Sequence, residues 1–87
     1  MGLPATNIQN SELRLSDVHP GQSAIITGYG YTQPSLIERL ASLGMVPGKD
    51  LKVIRASWFR DPISIELMGY NIALRSAEAH AIKVQIV

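Results

Sequence analysis

Apolar and polar residues alternate along most of this chain, and in one stretch the alternation gives way to helical spacing. "DPISIELMG" holds the clearest alternation: Ile63, Ile65 and Leu67 fall on one face, Ser64, Glu66 and Met68 on the other, the pattern of a half-buried strand. "IKVQIV" repeats it with Ile82, Val84 and Ile86 against Lys83 and Gln85. "LKVIRAS" places Leu51 and Val53 on one face, and "IALR" does the same with Ile72 and Leu74. "SAIITGYGY" is rich in β-branched residues and is loosened by Gly28 and Gly30. "ELRLSDV" puts Leu13 and Leu15 two apart, as on a strand, before Ser16 and Asp17 break the run. Between these runs, "HPGQ" is a turn because Pro20 presets φ and Gly21 admits positive φ. "GYN", Gly69 to Asn71, reads as a tight reversal between two strands.

The helical stretch opens at Pro34 and Ser35. Ser35 and Glu38 have capping-box spacing, with Thr32 or Gln33 as alternative caps that would leave Pro34 in the first turn. Leu36, Leu40 and Leu43 fall at i, i+4 and i+7, and Ile37 and Ala41 widen the apolar stripe. Gly44 suits the left-handed residue just past the end, so that Met45 reaches back toward Leu40. A second, single helical turn is expected over "AEAHA", with Ser76 as its cap and Glu78 at its positive end.

Five or six short strands, one inserted helix and a helical turn before the last strand predict a mainly β fold, a small and strongly bent barrel whose closure hides the strand edges. The 87 residues suffice for one domain. Residues 12–87 form it, and the polar segment 1–11 is expected to be a disordered tail. Within that tail Gly2 and Thr6 match a loose myristoylation pattern, which so short a motif meets by chance.

Composition narrows the functions. There is no cysteine, hence no disulfide and no thiolate metal site, which suits a reducing cytoplasm. The net charge of +1 and the scattered Lys and Arg provide no phosphate-binding stripe, so no nucleic-acid partner is expected. No apolar run approaches the roughly 18 residues of a membrane span, so no direct membrane insertion is expected. Charged residues make up only 17% and hydrophobic ones 46%, which points to an apolar surface that meets a partner.

Candidate chemistry is sparse. His19 and His80 stand far apart and form no metal-ligand spacing; Asp17 with His19 is read as a local turn, and no metal or cofactor is expected. Met45 and Met68 read as packing residues. "GYGY" is a lone GxG without the setting of a phosphate loop. No nucleophile elbow, cysteine nucleophile or paired carboxylates occur, so the chain is not expected to be an enzyme. Two features remain. Trp58 and Phe59 of "SWFRD" lie in an inter-strand turn that does not need them, either as a lid on the barrel or as an interface anchor beside Arg60. The apolar face of the helix, broadened by Ile37 and Ala41, exceeds what one barrel opening covers and suggests a groove for a partner or for self-association.

The series "LSDVHPGQSAIITG", "ERLASLGMVPG", "LKVIRAS", "DPISIEL" and "IALRSAEAHAIKV" resembles the FeoA family, the small cytosolic component of bacterial ferrous iron uptake. Its most specific elements are the LGM-x-PG pattern at Leu43 to Gly48, the Asp61-Pro62 pair and the "ALR" at Ala73 to Arg75. The resemblance implies an SH3-like barrel with a helical insertion, located in the cytoplasm and acting by contact with the cytosolic G-protein domain of FeoB, a ferrous iron permease. Carried over by position, it implies a docking helix bearing Leu36, Ile37 and Leu40, with Met45, Val46 and Pro47 at its exit. SH3-like barrels bind peptides in aromatic grooves, which adds Tyr29, Tyr31, Trp58 and Phe59 as candidates. The family usually has small residues and a Leu-Gly near "WFR", so this loop departs from it. A KOW-like nucleic-acid-binding barrel and an iron-sensing or iron-carrying domain are the alternative readings.

Overall fold

The computed structural model of the chain describes residues 13–57 and 59–87. The expectations for the tail, including Gly2 and Thr6, and for Trp58 lie outside the described residues. Five strands form one antiparallel sheet: β1 (Ser23–Tyr29), β2 (Asp50–Ala56), β3 (Ile63–Leu67), β4 (Tyr70–Leu74) and β5 (Ile82–Ile86). They lie in the order β4-β3-β2-β1-β5. Helix α1 (Pro34–Ser42) is inserted between β1 and β2, and the short α2 (Ser76–His80) connects β4 to β5.

The alternation read from the sequence sets the core. Ile63, Ile65 and Leu67 of β3, Leu51 and Val53 of β2, Ala24 and Ile26 of β1, and Ile82 and Val84 of β5 are buried on one face. Two register shifts bend the sheet around them, each adding an unpaired residue to one strand: Thr27 in β1 against β5, and Ile54 in β2 against β3. The β3–β4 hairpin has no such shift.

Four local expectations are corrected. The Leu13–Leu15 segment is not a strand. Leu15–Asp17 forms a 3-10 turn, closed by Asp17 N–H to Arg14 O at 2.8 Å and by the Asp17 carboxylate accepting the Arg14 N–H at 3.0 Å. A short polar side chain that bonds its own backbone outcompetes a ladder here, and only an isolated bridge from Arg14 to Lys83 remains of the strand. The hairpin reverses at Met68–Gly69 rather than over Gly69–Asn71. Both residues have positive φ, 52° and 83°, and Leu67 pairs with Tyr70 across a two-residue turn whose twist suits antiparallel strands. Ser76 does not cap α2. Its N–H donates to the Asp61 carboxylate at 3.2 Å, so the cap arrives from the β2–β3 loop. Finally, the barrel does not close by strand pairing, because β4 and β5 are the two ends of the sheet.

Gly44, with φ +94°, has the methyl of Met68 2.8 Å from where a Cβ would stand. Gly44→Ala is expected to cost about 1–2 kcal/mol in urea unfolding, from left-handed strain plus displacement of Met68. In a Met68→Ala background the cost falls to the backbone part alone.

Candidate docking surface

Helix α1 begins without a side-chain cap. Gln33 is the N-cap in extended conformation and Pro34 occupies the first helical position, where a missing N–H costs nothing. Its C-terminus is closed by the two hydrogen bonds of a Schellman motif: Gly44 N–H to Ala41 O at 2.9 Å, and Met45 N–H to Leu40 O at 3.1 Å. Leu40 and Met45 are both fully buried in the core cluster, and they anchor the last turn of α1.

Two polar contacts fix the helix further. The Tyr29 hydroxyl, at the end of β1, donates to Met45 O at 2.6 Å. Arg39, on the solvent side of α1, pairs with the buried Glu78 carboxylate through Oε2. The other oxygen of Glu78, Oε1, accepts the Arg75 N–H at 2.9 Å at the start of α2. After Met45 the chain returns to the sheet, with Gly48 N–H bonding Ile26 O and Ile26 N–H bonding Lys49 O, each at 2.8 Å. Helix α1 is therefore held at its middle by α2 and at its exit by β1.

The candidate residues divide into three groups. Leu40 and Met45 offer no surface to a partner in the folded chain. Leu36, Ile37, Ala41 and Val46 are half-buried and Pro47 is exposed, so α1 and its exit do present apolar side chains outward. Leu36 still leans on the core, whereas Leu43, expected with Leu36 and Leu40, is 40% exposed. It is the C-cap of α1, between the buried Leu40 and Met45. Among the aromatics, half-buried Tyr29 is engaged with Met45. Tyr31 and Phe59 are exposed on two different loops, after β1 and between β2 and β3. The Phe59 loop is tied down by Arg60, whose guanidinium donates to Ser16 O at 3.2 Å and to Val18 O.

Two residues escaped the reading of the sequence. Met68, 57% exposed, lies over Gly44 beside Leu43, and Tyr70, 73% exposed, pairs with Leu67, whose Cδ2 also faces Gly44. Met68 and Leu43 give the exit of α1 exposed apolar surface. The signal was "MG" between two alternating runs, a two-residue hairpin turn that puts its first residue on the tip.

The polar residues converge on structure. Asp17 accepts from Arg14, His19 N–H donates to Gln22 Oε1 at 2.9 Å, and His80 Nδ1 lies 3.5 Å from Ser16 Oγ. Among the described residues no group of three or more His, Cys, Asp or Glu gathers as a metal site would require. Among the described residues, no helix is long and apolar enough to cross a membrane.

A bent five-stranded antiparallel sheet with a pinned helical insertion defines a small SH3-like domain. The FeoA domain model matches residues 13–86, and the chain belongs to the FeoA family. It is 33% identical over 78 residues to the Fe(2+) transport protein A/Fe(2+) transporter FeoB fusion protein of Porphyromonas gingivalis, covering 86% of this chain but 9% of that one. It is 35% identical over 75 residues to a protein of Campylobacter jejuni named for Fe(2+) transport protein A, covering 86% of this chain and all of that one. Among solved structures, FeoA of Chlorobium tepidum matches with a TM-score of 0.78 and 35% identity, covering 86% of this chain and 70% of that one. FeoA of Stenotrophomonas maltophilia, described as a prokaryotic SH3 domain protein, matches with a TM-score of 0.74 and 22% identity over 84% of this chain and 89% of that one. That likeness supports the fold.

Glu78→Gln keeps an acceptor for Arg75 N–H and removes the charge facing Arg39. Because the Arg39 side chain is 62% exposed, the expected loss of global stability is small, about 1 kcal/mol or less. The specific effect is expected in amide exchange, with protection falling across α1 while β2 and β3 keep theirs. An equal fall everywhere would show that the pair does not single out α1.

Proposed function

We propose that the chain is a non-enzymatic accessory protein of ferrous iron uptake that acts in the cytoplasm by direct contact with the cytosolic part of a FeoB-type permease. The observation that most supports this is the P. gingivalis fusion, in which a segment similar to this chain shares one polypeptide with the transporter. Fusion raises the effective concentration of the two parts, so a contact of modest affinity suffices to keep them engaged. The contact surface we assign is the outward side of α1 and its exit: Ile37, Leu43, Val46 and Pro47, with Met68 alongside. Its apolar side chains sit on a helix held at two points, so docking orders little further chain.

The test is calorimetric titration of the protein into the cytosolic G-protein domain of its cognate permease, in each nucleotide state. Ile37→Asp and Leu43→Asp are expected to fold, by circular dichroism, and to weaken binding about tenfold or more. Leu40→Asp is expected to unfold the protein, because it places a carboxylate in the core. Binding unchanged in both folded variants would move the contact away from α1. Absence of binding by wild type to the domain and to the intact permease would overturn the reading.

A further inference from the structure

The two ends of the sheet are treated differently. The outer side of β5 is covered: Val84 N–H donates to Leu13 O at 3.0 Å, and Arg14 bridges Lys83. Among the described residues no segment pairs with the outer side of β4. Leu67 and Tyr70 flank the two-residue turn as a hydrogen-bonded pair, so Tyr70, Ile72 and Leu74 turn their backbone groups toward β3. Asn71 and Ala73 then turn theirs outward. Among the described residues no backbone or side-chain hydrogen bond reaches the outward N–H and C=O groups of these two, and both residues are exposed.

Edges of this kind are normally blunted by a charged side chain, a proline, a bulge or a covering segment. Strand β4, "YNIAL", contains no charge and no proline, and its ladder with β3 runs without a register shift. Among the described residues it is a regular, neutral and unpaired edge, on a chain whose net charge is only +1.

We propose that a second copy of this chain pairs with it, β4 against β4, antiparallel about a two-fold axis through Ile72. The register is self-complementary. Asn71 of one copy and Ala73 of the other exchange both backbone hydrogen bonds, and symmetry repeats the exchange, so all the outward groups of both edges are satisfied. Ile72 meets Ile72 of the second copy in the closer, non-hydrogen-bonded spacing, and Tyr70 meets Leu74 on the same face. Tyr70 is 73% exposed in the single chain; Leu74 is itself buried, so the apolar contact along the seam comes from the half-buried Ile72 pair. No like charges oppose one another along the seam, and Arg75 just beyond it falls opposite Gly69 of the second copy. The outcome is a ten-stranded sheet spanning two domains, with Ile37, Leu43, Val46 and Pro47 outside the seam and Met68 just beyond its end. This is a different route from the apolar helix face for bringing copies together, and it does not depend on the proposed contact with the permease.

A five-residue seam falls below the roughly 1,200 Å² of a standard interface, so half-dimerisation is expected between about 10 µM and 1 mM. Sedimentation equilibrium on the full chain across that range tests it. Wild type is expected to approach twice the monomer mass at the upper end. Ala73→Pro removes only an outward N–H, which β3 does not use, and is expected to fold and stay monomeric. The double variants Asn71→Lys/Ala73→Lys and Asn71→Glu/Ala73→Glu place like charges opposite one another in the seam. Each is expected to be monomeric alone, while an equimolar mixture restores the dimer through Lys–Glu pairs. That rescue keeps the test decisive should the proline variant fail to fold. A wild type that is monomeric to 1 mM would overturn the proposal. A dimer that survives the charge variants, or one abolished by Leu43→Asp but not by them, would also overturn it.

Discussion

The Glu78 carboxylate is the interaction on which the arrangement of the helices depends. A carboxylate with 9% exposure is costly unless each oxygen finds a partner. Here Oε1 accepts the N–H of Arg75, the N-cap of α2, and Oε2 takes Arg39 of α1. The two partners are far apart in sequence, so one side chain joins the insertion between β1 and β2 to the connection between β4 and β5. Asp61 adds a third segment, since its carboxylate receives Ser76 N–H and lies 3.5 Å from Arg75. The end of the sheet left open between β4 and β5 is thereby organised by acid–base contacts and helix caps, where strand pairing is absent.

The same logic explains why "LGMVPG" follows the helix. Gly44 is required by its φ of +94° and by the Met68 methyl that occupies the place of a Cβ. Met45 is required because the Schellman turn directs the next residue back into the core, beside Leu40. Its carbonyl, left without a helical donor, is met by Tyr29. Pro47 and Gly48 then turn the chain so that Gly48 and Lys49 bond both sides of Ile26 in β1. Gly44, Met45, Pro47 and Gly48 each answer a local constraint, and their sum is a helix fixed at its exit to the strand that precedes it.

Much of this was legible because it is local. The alternation in β3 and β5, the 3.6-residue spacing of α1 and the Pro-Gly turns depend on neighbours in sequence, and the structure has them where the pattern placed them, except that Ile86 at the end of β5 is 41% exposed. What escaped is non-local or competitive. Leu13 and Leu15 have strand spacing, but the Asp17 side chain captures the Arg14 N–H and wins locally. The cap of α2 comes from Asp61, which no window around Ser76 contains. The exposure of Leu43 depends on where the core ends under the helix, a tertiary fact that the leucine spacing does not carry. At the candidate surface, periodicity correctly marks α1 as apolar, but it cannot separate Leu40, which the core claims, from Ile37 and Leu43, which it does not.

The inserted helix divides into a part that the core claims and a part that it leaves exposed. Leu40 and Met45 plug the barrel, completing a core that five short strands leave open at one end. The remaining apolar residues add little to the plug, since Leu43 is 40% exposed and Met68, beside it, 57%. Were plugging the only role, polar residues at those positions would lose only the covered part of each side chain and would lower the tendency to aggregate. The fold therefore explains their apolar character only in part. Arg39 and Tyr29 meanwhile hold the helix against the body, so the outward side chains stand on a rigid support. A surface that is apolar with only partial benefit to the core, and ordered before any partner arrives, has the two properties that specific docking needs.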